Sequence, residues 1–158
     1  MLHPLTGLDH LLAILAVGLW AARSGGNARA VVPLGFLGLM AGGAWVGQSG
    51  IALPGMESIV LASVLVLGLG VASARRLPAG ISAMMIALFA VAHGYAHGAE
   101  MAAGVNPLSY AAGFLAATAA VMALGLVAGV WALESRRDGW LRWAGAGIAA
   151  GGLLCCVA

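Results

Sequence analysis

Residues 107–133 read PLSYAAGFLAATAAVMALGLVAGVWAL, without one charged side chain. As an α-helix this run is about 40 Å long, more than the roughly 30 Å needed to cross the hydrocarbon of a bilayer. Barrel strands are excluded, because they alternate polar and apolar side chains and this segment does not. The rest of the chain repeats the pattern. Spans are read at 4–22, 30–47, 56–74, 78–97, 107–133 and 140–157, separated by short gaps. Of 158 residues, 63% are hydrophobic and only 8% charged. A soluble domain carries about 25% charged residues, so this chain cannot cover a water-facing surface. The expected fold is all-α. It is an integral membrane bundle of six transmembrane helices, a single domain over 1–158, with sequential helices as antiparallel neighbours.

Charge orients the bundle. Arg23 and Arg29 fall in the first gap, Arg75 and Arg76 in the third, and Arg136, Arg137 and Arg142 in or beside the fifth. The gaps alternate sides, so every cationic residue faces one compartment, the cytoplasm under the positive-inside rule. The N- and C-termini are then both extracytoplasmic. A net charge of +2 spread over three short loops is an anchor pattern and excludes a nucleic-acid surface. There is no lysine, which excludes Schiff-base retinal and pyridoxal chemistry. Trp20, Trp45, Trp131, Trp140 and Trp143 lie near span ends, as an aromatic belt requires. Cys155 and Cys156 are adjacent and point about 100° apart on a helix; they are read as small apolar residues. The pairs Gly38/Gly42, Gly43/Gly47, Gly94/Gly98, Gly125/Gly129 and Gly147/Gly151 have the spacing that lets helices approach closely. No charged leader with a cleavage site precedes the first span, so the chain is read as starting at Met1 or as having lost a leader.

The remaining polarity gathers at the opposite ends of the spans. His3, His10, His93 and His97 lie there with Asp9, Glu57 and Glu100. In His93-Gly-Tyr-Ala-His97-Gly-Ala-Glu100, helical geometry brings positions 93, 97 and 100 within about 60° of one another. Histidines at i and i+4 can share one divalent metal. In His3-Pro4-Leu5-Thr6-Gly7-Leu8-Asp9-His10, the two histidines share a face, and Asp9 is turned about 100° aside toward a neighbouring helix. Both groups reach similar depth from the same side. A charged group there costs roughly 2.5–3.5 kcal/mol unless it is paired or binds a cation. Two readings relieve that cost. Asp9 and Glu100 accept hydrogen bonds from histidines and lock spans 1 and 4 together, or the set binds a metal. Imidazole and carboxylate suit Zn, Ni, Co or Cu(II), whereas Cu(I) favours sulfur. The candidate ligands are His3, Asp9, His10, His93, His97 and Glu100, with Glu57 and Gln48 as pore-mouth residues. Glu57 equally suits the positive end of a helix dipole.

The residues alone go as far as a metal site, and its use is open between a divalent-metal permease and an enzyme. No phosphate-binding loop is present, and neither catalytic residues nor a prosthetic group are expected. An intramembrane zinc hydrolase is the second reading. It lacks the glutamate after the first histidine of the motif that would act as general base. A pH-sensing or structural membrane bundle is the third. The expected partners are a divalent ion and the lipid bilayer, and the glycine faces leave a homo-oligomer open.

The two motif segments, in this order, resemble those of the HupE/UreJ family of hydrogenase/urease accessory permeases. His3 to His10, followed by an apolar run ending Val17-Gly18-Leu19-Trp20-Ala21, resembles the first-span motif, and His93 to Glu100 the second. The likeness covers essentially the whole chain. It implies a six-helix multi-pass protein of the bacterial inner membrane. Such a protein moves Ni2+, or Co2+, from periplasm to cytoplasm to supply a nickel enzyme. It implies His3, Asp9, His10, His93, His97 and Glu100 as ligands of the entering ion. Family members often carry a cleaved leader and a short histidine-containing stretch before the first motif. This chain is read as lacking both, and with them any further N-terminal ligand.

Overall fold

The structure, a computed structural model, describes residues 6–73 and 77–157. Six α-helices run in chain order: α1 Thr6–Ser24, α2 Ala28–Gln48, α3 Met56–Ser73, α4 Ala79–Ala99, α5 Pro107–Glu134 and α6 Asp138–Val157. His3, Arg75 and Arg76 lie outside the described residues. Among the described residues, α2, α3, α4 and α5 are long and apolar enough to cross a membrane. The other two helices carry more charge: Asp9 and Arg23 in α1, Asp138 and Arg142 in α6.

The ends of the helices follow from local chemistry. Pro107 occupies the first turn of α5, where its missing N–H is no loss. Asn106 caps that helix by accepting a hydrogen bond from the Ser109 N–H at 3.1 Å. The chain leaves α2 through Gly50, whose φ of 75° is a left-handed value that glycine adopts without a Cβ penalty.

Glycine sets which helices meet. A methyl added at Gly43 or Gly47 would strike the α4 backbone between Val91 and Ala99, and one at Gly94 or Gly98 would strike the carbonyls of Met40 or Ala44. The two helices therefore interlock at backbone distance, running parallel. Gly18 of α1 meets Met122 to Leu126 of α5, and Gly125 answers against Leu15, again in parallel. Gly68, Gly145 and Gly152 join α3 to α6 in antiparallel. The closest partners are thus α2 with α4, α1 with α5, and α3 with α6. The expectation of sequential helices as antiparallel neighbours is corrected in one respect: α2 with α3 and α4 with α5 are not among the packed pairs. Short loops make them antiparallel, but small residues decide contact. The spacing rule also overreached. At Gly38, Gly42 and Gly147 an added methyl would meet nothing within 4 Å.

Helix α1 is the central strut. Ala13, Ala16, Val17 and Ala21 are fully buried, while α2, α4, α5 and α6 expose Val31, Leu34, Met84, Leu124, Val127 and Leu154. Trp20 does not join an aromatic belt. It is 7% exposed, and its ring lies over Gly70 of α3. Trp45, Trp131, Trp140 and Trp143 are the exposed indoles. Arg23 follows Trp20 into the same junction and donates from Nη1 to the Val71 carbonyl at 2.8 Å.

The α2–α4 interlock gives a direct test. Gly43→Val should lower the unfolding free energy of the detergent-solubilised protein by about 1–3 kcal/mol through overpacking. Gly42→Val, one position round the helix and facing open space, should change it by less than about 0.5 kcal/mol. Equal melting behaviour of the two variants would refute the interlock.

Candidate functional site

The histidine side chains of the first turns of α1 and the last turns of α4 meet at one end of the bundle. The His10 ring centroid is 4.7 Å from that of His93 and 5.1 Å from that of His97, both edge to face. His93 is fully buried. The His10 and Asp9 side chains are 14% and 10% exposed. Spans 1 and 4 therefore bring three imidazoles and one carboxylate into a single cluster near one end of the bundle.

Two of the rings are held through Nδ1. In His93 that nitrogen lies 2.8 Å from the Phe89 carbonyl, one turn earlier in α4. A carbonyl only accepts, so Nδ1 carries the proton and Nε2 keeps its lone pair. That Nε2 is buried and has no hydrogen-bond partner among the described residues. In His10, Nδ1 lies 3.0 Å from Asp9 Oδ1, and the same oxygen accepts the His10 backbone N–H at 2.7 Å. Among the described residues, the hydrogen bonds of Asp9 thus go to its own neighbour. A carboxylate or carbonyl on one ring nitrogen is the usual way a metal-binding imidazole is oriented, with the other nitrogen turned to the ion. His97 is placed differently. Its ring stacks on Phe114 of α5 with centroids 4.8 Å apart and planes 1° from parallel, and Phe114 is braced by Tyr110 at 5.6 Å.

The other candidates sit further out. Glu100 is the exposed C-cap residue of α4. Glu57 is exposed in the first turn of α3, and Gln48 is half-buried at the end of α2. His3 lies outside the described residues. Among the described residues, no three or more histidine, cysteine, aspartate or glutamate side chains stand ready to hold one metal ion.

Three aromatic residues shape this end of the bundle without having been singled out from the sequence. Phe114 supports His97. Phe36 of α2 lies 6.0 Å from the His93 ring. Tyr95, between the two α4 histidines, ties down the α2–α3 loop. Its hydroxyl donates to the Ile51 carbonyl at 2.8 Å and accepts from the Leu53 N–H at 3.0 Å. Phenylalanine is scarce, with Phe36, Phe89 and Phe114 the full set. Phe36 and Phe114 meet the cluster through their rings and Phe89 through its main-chain carbonyl; the scarcity of phenylalanine was the available signal for the first two.

A family model described as HupE / UreJ protein matches residues 1–155. The chain belongs to the HupE/UreJ family. Both histidine motifs fall inside the matched residues. Over 124 residues the chain is 44% identical to Protein HupE of Rhizobium leguminosarum bv. viciae, covering 78% of this chain and 65% of that relative. The match therefore spans slightly under two thirds of the relative's length. No solved structure matches the chain. HupE/UreJ proteins are membrane proteins associated with nickel handling for hydrogenase and urease.

The Tyr95 tie is testable without any cargo. Tyr95→Phe should cost about 1 kcal/mol of stability and speed amide exchange at Leu53. Unchanged exchange at Leu53 would show that the hydroxyl does not hold the loop.

Proposed function

We propose that this chain is a permease for a divalent transition-metal ion, Ni2+ foremost and Co2+ next. It carries the ion from periplasm to cytoplasm across the bacterial inner membrane and so supplies a nickel enzyme. In this reading all six helices span the bilayer and both termini are periplasmic. The alternating helix directions support it, and so does the position of α1, whose Asp9 and His10 are surrounded by other helices and not by lipid.

The observation that carries the reading is His93. A buried acceptor without a partner costs about 1–3 kcal/mol. Nε2 of His93 is such an acceptor, and it sits beside two further imidazoles. A dication with borderline affinity for nitrogen donors satisfies that lone pair. His10, His93 and His97 are the inner ligands. Asp9 positions His10 and balances the ion's charge. His3, Glu100, Glu57 and Gln48 serve the mouth, where carboxylates draw the hydrated ion and begin to replace its waters. Binding at this site has to remain weak enough for onward release.

Nickel accumulation in cells making the native chain, His10→Ala and His93→Ala tests the proposal. Both histidine variants should fall to background while remaining inserted. Asp9→Asn should weaken apparent affinity by about 10–100-fold, the usual cost of losing an orienting partner. Normal uptake by either inserted histidine variant would leave the histidines a purely structural role.

Orientation has its own test. Alkaline phosphatase fused after Val157 should be active, since the enzyme matures only outside the cytoplasm. An inactive fusion on a stably inserted chain would reverse the topology.

A further inference from the structure

Toward the arginine end from the histidine cluster, the bundle opens into a cavity of about 780 Å³. Trp20 and Ser24 of α1, Phe36 of α2, and Ser82 and Ile86 of α4 line it, with Arg23 also in its wall. Two helix faces lead from the cluster to this space. On α4, His93, Ala90, Ile86 and Ala83 follow at intervals of three or four residues, which places them on one face. On α1, His10, Ala13, Val17, Trp20 and Ser24 do the same. Each face begins at an imidazole and ends on the cavity wall.

One side chain belongs to both compartments. The Phe36 ring lies 6.0 Å from the His93 ring, and the same residue forms part of the cavity wall. It is fully buried. Pro33 lies within α2 three residues before it, and a proline there cannot donate the helical hydrogen bond to the Arg29 carbonyl. The turn beneath Phe36 is therefore less tightly tied than the rest of α2. No methyl would be obstructed at neighbouring Gly35, so the chain beside the ring has room to move.

We infer that Phe36 is the hydrophobic gate between the histidine cluster and the cavity, and that the cavity is the vestibule through which the cargo leaves toward the cytoplasm. This inference rests on the permease reading and adds its exit route. A buried apolar constriction blocks a hydrated ion by excluding water. The ion held at His93 passes when the Phe36 ring swings aside. It then regains waters in the vestibule, where the Ser82 hydroxyl offers an oxygen and the Ser24 hydroxyl is already committed to the Trp20 carbonyl at 3.0 Å.

The test compares native chain, Phe36→Ala and Phe36→Trp in two measurements: nickel binding to purified protein by equilibrium dialysis, and nickel uptake by cells. All three should bind nickel alike, because the gate lies beyond the ligands. Phe36→Ala should raise the uptake rate severalfold, and Phe36→Trp should lower it by about tenfold. Native binding with native uptake in both variants overturns the gate and leaves the permease reading standing. Absence of uptake by the native chain strikes the permease reading itself, and the gate falls with it. Should Phe36→Trp fail to insert, Phe36→Ala decides alone: unchanged uptake with native binding overturns the inference.

Discussion

Imidazoles and a carboxylate can sit at the depth of a membrane helix only if protein encloses them, because lipid offers no hydrogen bonds. The bundle is arranged around that requirement. Its first helix carries Asp9 and His10 and is also the most enclosed, with fully buried residues along most of its length. The helix that carries Asp9 and His10 has become the core, and the long apolar helices α2, α4 and α5 expose large side chains around it. A soluble protein would place them the other way round, with the apolar helices inside.

Close approach makes the enclosure workable. Between Gly43, Gly47, Gly94 and Gly98, the backbones of α2 and α4 leave no space for a single methyl. This interlock fixes the height of α4 against α2, and therefore places the His93 ring near Phe36. The pairing of α1 with α5 through Gly18 and Gly125 does the same for His10 and the Phe114 that stacks on His97. Hydrophobic attraction between helices is weak in lipid, so these van der Waals contacts are what set the register of the site.

Helix number and type were legible because an apolar run long enough to span a bilayer is a one-dimensional signal, read along residues 107–133 without reference to any other segment. The meeting of the His10 and His93 motifs was legible for a different reason. Polar groups with no other outlet at one end of a bundle must find each other. Partner choice was not legible. Gly38/Gly42 and Gly43/Gly47 have the same spacing, yet one pair faces open space and the other the α4 backbone. Spacing encodes a smooth face, and only the third dimension says what lies against it. Trp20 misled similarly. Its place near a span end suggested the interface, but an indole also fills the gap above a glycine, and Gly70 supplies one. Asp9 was expected to reach across to another helix. Among the described residues its hydrogen bonds go to the adjacent His10, a contact that needs no tertiary partner.

The two best-held imidazoles arrive at one chemical state by unrelated routes. His93 uses a carbonyl of its own helix one turn back, and His10 uses the carboxylate of its sequence neighbour. In each case Nδ1 is engaged, and in His93 this leaves a buried Nε2 with no partner among the described residues. A purely structural cluster has no need for matched tautomers. It would be better served by a histidine that donates to another histidine and removes the buried, unpartnered Nε2 of His93. The unpartnered Nε2 of His93 is what supports the proposed ligand-binding reading. In the proposed permease reading, with apolar walls and a carboxylate behind one ring, that partner would be a cation soft enough to prefer nitrogen over water.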